Sequence, residues 1–231
     1  SDRFVTIGLA RGDTVIDAPW ARMADAALAL DPAGNTLVPM ARSAAAAVAT
    51  GSNLAGEARD VLGAAQKAAP IDPGEPAYEL LALARTVAIA GVLQRLLALA
   101  LQYANEREQF GRSISKFQAI QHNLAIVAGE VAAASRAADA AIDALGDARF
   151  VLEVAAAKAR VGEAAGIVAE IAHQVHGAMG YTHEHQLHHF TRRAWAWRDE
   201  YGNEAYWQQR LGRHLAGVGA DGLWNFLATR G

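Results

Sequence analysis

The 231-residue chain contains no cysteine. That excludes disulfides, thiolate metal sites and cysteine nucleophiles, and it fits a cytoplasmic protein. No long basic run occurs, and the formal net charge is -3, so a nucleic-acid partner is not expected. No charged-then-apolar leader opens the sequence, and no signal peptide is expected. Proline is scarce, with six residues in all. Three of them fall in Pro70-Ile71-Asp72-Pro73-Gly74-Glu75-Pro76, which cannot continue a helix or a central strand and reads as a boundary. An uninterrupted membrane-length run is also lacking. The very apolar residues 80–101 are broken by Arg85, Gln94 and Arg95, which suits a buried bundle helix better than a membrane span.

What is present is a chain 52% hydrophobic and 19% charged, able to bury a sizeable core in one large or two small domains. The first seventy residues read as strands and turns. Residues 3–9 and 14–16 are strand-like and flank Gly12-Asp13; residues 26–30 and 36–40 flank the turn Asp31-Pro32-Ala33-Gly34-Asn35. These look like strands joined by hairpins. Residues 44–49 form an alanine run with weak helix character. Beyond Pro76 every segment is predicted helical. One helix carries Leu80, Leu83, Val87, Gly91, Leu97 and Leu101 at helical spacing. A second spans about residues 117–145, started by Ser115 and ended by Gly146. A third spans about 148–175, with Val151, Val154, Ala157, Val161, Ala165 and Val168. Thr182 could cap a fourth, to about residue 200; Asn203 could cap a fifth toward residue 215, with a last piece near 223–229. The expected fold is mostly α: a partial β-domain over 1–72, then an antiparallel helical bundle over 73–231. No internal repeat is visible.

The segment from Tyr103 to Gln118 is the most informative. It ends one long helix, starts the next, and between them sets an arginine, glutamines, hydroxyls and a glycine in one short turn. A diphosphate suits such a guanidinium fork beside amide donors; an ordinary helix connection with a surface arginine is the plainer alternative.

Asn105-Glu106-Arg107-Glu108-Gln109-Phe110-Gly111-Arg112, followed by Phe117-Gln118-Ala119-Ile120-Gln121, resembles the C-terminal-domain signature of the acyl-CoA dehydrogenase family. His173-Gln174-Val175-His176-Gly177-Ala178-Met179-Gly180-Tyr181 resembles that family's other FAD-contacting loop, at a fitting distance along the chain. Asn53 to Asp60 looks, more weakly, like the exit from the family's middle β-domain. The resemblance implies FAD as cofactor, held by Arg107, Gln109, Phe110, Gln118, Gln174, Gly177 and Ala178. Arg107 would take the diphosphate; Ala178 stands where the family often has a second glycine. It further implies an acyl-CoA substrate, a homo- or hetero-oligomeric dimer or tetramer, and an electron-accepting flavoprotein partner.

The family reaction removes an α-proton to a carboxylate and a β-hydride to the flavin. Aligned without gaps from Gln174, the position of one common family base falls on Tyr201, and a phenol normally stays protonated near neutral pH. Glu200 takes the place if one residue is inserted, and Asp199 is two positions away. Both acids can also be read as a solvated helix end paired with Arg192, Arg193 or Arg198. Two functions follow: α,β-desaturation of a CoA thioester, or a non-catalytic subunit or fragment that completes a partner's FAD site. His185 and His189 stand four apart, a spacing that can serve a metal on one helix face. The family has no metal there, and none is expected. Trp195, Trp197, Trp207 and Trp224 read as core or interface residues.

Overall fold

The computed structural model describes residues 4–31, 36–40, 47–63 and 69–229. The chain divides into two compact units, Ser1–Leu81 and Ala82–Gly231.

The first unit holds a six-stranded sheet: β1 (Val5–Arg11), β2 (Thr14–Pro19), β3 (Ala26–Asp31), β4 (Thr36–Met40), β5 (Ala47–Ala49) and β6 (Arg59–Leu62), in the order β4-β3-β1-β2-β6-β5. Gly12, with φ 58°, makes the tight β1–β2 hairpin, and β3 pairs antiparallel with β4. The sheet is not hairpins throughout. β1 pairs in parallel with β3: β2 returns the chain to the starting end of β1, and a short 3-10 turn at Ala21–Met23 carries it across to the other side of β1. The alanine run differs from expectation too: Ala47–Ala49 is a strand on β6, because pairing decides the state of a short segment with weak intrinsic preference. Residues 44–46, like the turn residues 32–35, lie outside the described residues. Val15, Ala18, Ala27, Ala29, Met40 and Leu62 form the core on this sheet. Gly8 is required by close approach, since a Cβ there would meet Val15 Cγ1 at 2.5 Å and the Ile16 carbonyl at 2.8 Å. Arg22 ties the 3-10 turn to β6, its backbone N–H donating to Asp60 Oδ2 at 2.9 Å and its guanidinium to Oδ1 at 2.6 Å.

The second unit is a helical bundle. α1 (Ala77–Glu106) begins in the last residues of the first unit; α2 (Gln118–Asp143), α3 (Phe150–His176), α4 (Leu187–Asp199) and α5 (Glu204–Thr229) follow. By length and composition α1 could cross a membrane. Its apolar positions Ile89, Leu93, Leu96 and Leu99 instead pack with Val127 and Val131 of α2, Val161, Ala165 and Val168 of α3, and Leu187 and Ala194 of α4. Truncating a fully buried leucine such as Leu93 to alanine costs about 2–5 kcal/mol. α3 is the hub, packing against α2, α4 and α5. Its abundant alanine and glycine let neighbouring backbones come close.

Two helix ends differ from the sequence reading. Ser113, not Ser115, caps the chain entering α2: its Oγ accepts from the Ser115 N–H over a 3-10 turn at Ile114–Lys116. Thr182 closes a 3-10 turn at Gly177–Tyr181, and α4 starts only at Leu187 without a side-chain cap. The two helical pieces expected after Asn203 are present within α5 and meet at Gly219 (φ 76°, ψ 167°), where the backbone leaves the helix and glycine permits a kink. Asn203 does cap α5, its Oδ1 accepting from the Tyr206 N–H at 3.1 Å.

Candidate functional site

The turn between α1 and α2 is a two-residue β-hairpin. β7 (Glu108–Gln109) pairs with β8 (Arg112–Ser113), and Phe110 (φ 54°) and Gly111 (φ 74°) both take the left-handed conformation of a type I′ turn. Glycine adopts this freely; phenylalanine does so against steric preference. The Phe110 ring is 91% exposed at the tip. The base of the hairpin is fixed. The Arg107 N–H donates to Tyr103 O at 2.9 Å, the Ile114 N–H to Arg107 O at 2.8 Å, and Ser113 Oγ to Ala104 O at 2.7 Å. The Arg112 guanidinium lies 4.3 Å from the centre of the Phe117 ring.

Facing the hairpin is the end of α3. Gly177 (φ 57°, ψ −140°) stops the helix in a conformation open essentially to glycine alone, and it turns the chain into the 3-10 segment. Tyr103 stacks on His176 at 4.5 Å, and Ala100, Ala104, Ile114, Leu124 and Val175 form a buried floor. The groove between the two segments measures about 480 Å³. Arg107, Gln109, Phe110, Gln174, Gly177 and Ala178 line it, together with Tyr103, Ile114, Phe117, Ile120, Val175, His176 and Met179. Six of the seven residues singled out for a cofactor thus meet in one groove. Gln118 is not among the lining residues; it is exposed at the first position of α2. His176, absent from the sequence-based set, is buried there. Its Nδ1 is 2.7 Å from Ala172 O, its Nε2 has no hydrogen-bond partner among the described residues, and burial lowers its pKa.

The candidate bases sit elsewhere, in the turn from α4 to α5. Asp199 is exposed at the end of α4. Glu200 is partly buried, with Oε2 2.6 Å from Arg85 Nε of α1. Tyr201 (φ 56°) and Gly202 (φ 88°) are both left-handed. Their carbonyls accept from the fully buried Trp207 indole N–H, at 3.0 and 3.2 Å. Arg198 pairs with Glu204 across the turn.

Sequence reasoning missed Lys158 of α3, whose side chain is completely buried. Its Nζ donates to Arg198 O at 2.7 Å, Gly202 O at 2.8 Å and Trp197 O at 3.5 Å. Burial pulls its pKa down to about 8, partly opposed by Asp199 and Glu200. The available signal was a lysine on the apolar stripe, four residues after Val154 and three before Val161.

His185 and His189 do not share a helix face, because His185 lies outside α4. His185 packs near His176 at 4.8 Å, and His189 against His188 at 4.0 Å. Among the described residues no group of three or more His, Asp or Glu side chains is placed to hold a metal. Of the tryptophans, Trp207 is core and Trp224 is 79% exposed.

The family description "Acyl-CoA dehydrogenase, C-terminal domain" matches residues 77–215. This chain belongs to the acyl-CoA dehydrogenase family. Among curated relatives, the 3-sulfinopropanoyl-CoA desulfinase of Paraburkholderia xenovorans is 40% identical over 111 residues, 48% of this chain and 28% of the relative. The glutaryl-CoA dehydrogenase of Desulfococcus multivorans is 41% identical over 106 residues, 45% of this chain and 27% of the relative. The chain therefore spans well under two thirds of the curated relatives it matches. The fold also matches a chain of the ChsE4-ChsE5 complex from Mycobacterium tuberculosis, with a TM-score of 0.77 at 24% identity, over 95% of this chain and 68% of that one.

Proposed function

We propose that this chain is an FAD-dependent acyl-CoA dehydrogenase-like subunit acting in α,β-desaturation of a CoA thioester. The observation that carries the reading is the groove where Arg107, Gln109, Phe110, Gln174, Gly177 and Ala178 converge. A guanidinium and two amides form a donor set that fits the diphosphate end of a dinucleotide, with an aromatic ring beside them. In this reading Arg107 orients the diphosphate, Gln109 and Gln174 add neutral donors, and Gly177 holds the loop in shape. Bound FAD supplies the acceptor for the β-hydride. The α-proton goes to a carboxylate, with Glu200 and Asp199 as this chain's candidates. Residues 1–72 then correspond to part of the family's middle β-domain and 73–231 to its C-terminal bundle.

A second reading is favoured by the Arg85–Glu200 pair. Glu200 Oε2 is already engaged by the Arg85 guanidinium, with 2.6 Å between it and Arg85 Nε. The chain would then complete an FAD site in an oligomer whose catalytic carboxylate comes from a partner. A heteromeric arrangement has a parallel in the complex formed by ChsE4 and ChsE5. An electron-accepting flavoprotein completes the proposed set of partners. The burial of α1's apolar residues in the bundle supports a soluble protein over one in which α1 spans a membrane, and a cytoplasmic setting belongs to the same proposal.

The test is the flavin content of the purified protein, alone and with its co-expressed partner, from the absorbance spectrum. Charge-assisted hydrogen bonds are worth about 1.5–3 kcal/mol. Arg107→Ala should therefore weaken flavin retention by about tenfold or more. Unchanged flavin content in the Arg107→Ala complex overturns both readings. A yellow protein from this chain alone excludes a purely structural role.

A further inference from the structure

We infer that Lys158 is the positioning residue for the α4–α5 turn, a buried ammonium clamp that fixes the backbone on which Glu200 and Tyr201 are displayed. The functional part of this inference rests on the reading above; the structural part stands by itself.

A helix leaves its last carbonyls without intrahelical donors. At the end of α4 a buried side chain of α3 supplies donors to some of them. Lys158 reaches three of the turn's carbonyls, those of Trp197, Arg198 and Gly202. An ammonium has three N–H donors, one for each. The α3 surface around it is cut to fit. Gly162, one helical turn on, lies so close to the α5 start that a Cβ would meet Glu204 Oε2 at 3.2 Å; at Gly166 a Cβ would sit 3.5 Å from an Arg198 terminal nitrogen. Trp207 holds the other side of the turn through the Tyr201 and Gly202 carbonyls. Gly202 O is thus shared by the lysine and the indole, which couples the clamp to a spectroscopic reporter.

Burying an ammonium is expensive unless its hydrogen bonds are satisfied. Here three carbonyl oxygens face it, which suits the positive end of a donor and gives a neutral amine one bond fewer. The charged groups whose fields reach it are Asp199 and Glu200 on the turn, Arg198 on α4 and Arg85 on α1. The carboxylates favour the charged form, whereas the arginines and desolvation oppose it. The clamp therefore loosens as pH rises through about 8. The global stability effect has the opposite sign. The unfolded chain holds the lysine proton up to about 10.5, so this group alone makes stability rise with pH between about 8 and 10.5. Local order and overall stability then separate in the same pH window.

The experiment follows the Trp207 indole N–H by NMR, assigned with Trp207→Phe, from pH 6.5 to 9.5 in the wild-type chain and in Lys158→Met. The wild-type resonance should shift with a midpoint near 8. In Lys158→Met it should be displaced at neutral pH and lack that step. A wild-type resonance indifferent to pH, or the same step persisting in Lys158→Met, overturns the inference; if the variant does not fold, the wild-type titration decides. In the assembled complex, Lys158→Met should lower kcat for thioester desaturation about tenfold or more, with KM and flavin content little changed. If the NMR results hold but no complex desaturates a thioester, the functional reading fails and the positioning role stands.

Discussion

Arg85 Nε stands 2.6 Å from Glu200 Oε2, with the two side chains only 22% and 18% exposed, so the residue following α4 is bound electrostatically to α1. The Arg85 guanidinium also lies 5.3 Å from the centre of the Trp197 ring. Such a half-buried pair stands between surface pairs, worth about 0–1 kcal/mol, and buried ones, where losing one partner costs about 3–5 kcal/mol. Arg85→Met should destabilise the protein by about 1–3 kcal/mol in urea unfolding. A double-mutant cycle with Glu200→Gln should return a favourable coupling energy. Additive effects would show that the two charges do not interact in solution.

Asp60 is fully buried in β6 beneath the Arg22 guanidinium. Burial alone pushes its carboxyl up, but the Arg22 hydrogen bonds outweigh that and hold it below the ordinary value of 3.8. The pair therefore contributes its full stability above about pH 4 and loses it as pH falls through the depressed folded value. Arg22→Ala should lower the melting temperature at pH 7, because it leaves the buried Asp60 carboxylate without its guanidinium partner. The gap between wild type and variant should narrow below pH 4, read as melting temperature against pH.

Phe110 holds a left-handed backbone with its ring in solvent. Asparagine tolerates that conformation far better, and Asn-Gly is the favoured type I′ pair. Phe110→Asn should raise thermal stability by about 1 kcal/mol while weakening flavin retention. A gain in stability with no loss of flavin would separate this ring from the groove's binding role.

Gly202 (φ 88°) leaves no space for a side chain, since a Cβ would fall 2.6 Å from Tyr206 Cδ1 and 2.8 Å from Trp207 Nε1. Gly202→Ala combines backbone strain with a clash and should destabilise by about 2–4 kcal/mol. Near-UV circular dichroism should report the displaced tryptophan. A variant as stable as wild type would mean the turn is open in solution.

The long helices were legible because each repeats its apolar residues every three or four positions, and a stripe of that length leaves little choice of state. The sheet was legible only strand by strand. β1 and β3 were each visible, but not their parallel pairing, because partner choice depends on the path of the short turn at Ala21–Met23. Ala47–Ala49 was misread because three small residues carry no periodicity of their own. In the groove, Arg107, Gln174 and Gly177 lie in contiguous motifs and were found that way; His176 sits inside the same motif but reads as a helix residue until its burial is known. Lys158 was hidden for a different reason. Its partners are main-chain oxygens some forty positions away, and main-chain oxygens leave no mark in a sequence.

The register of β2 against β6 brings Pro19 beside Arg59, whereas the helical unit closes its contacts mostly between successive elements. Nonlocal pairing is slow to nucleate, because loop-closure entropy is lost before any contact rewards it. The bundle should therefore acquire its hydrogen bonds early in refolding. The sheet should wait for β6 to find β2, and until then the free edge of β2 is the surface on which misassembly can begin.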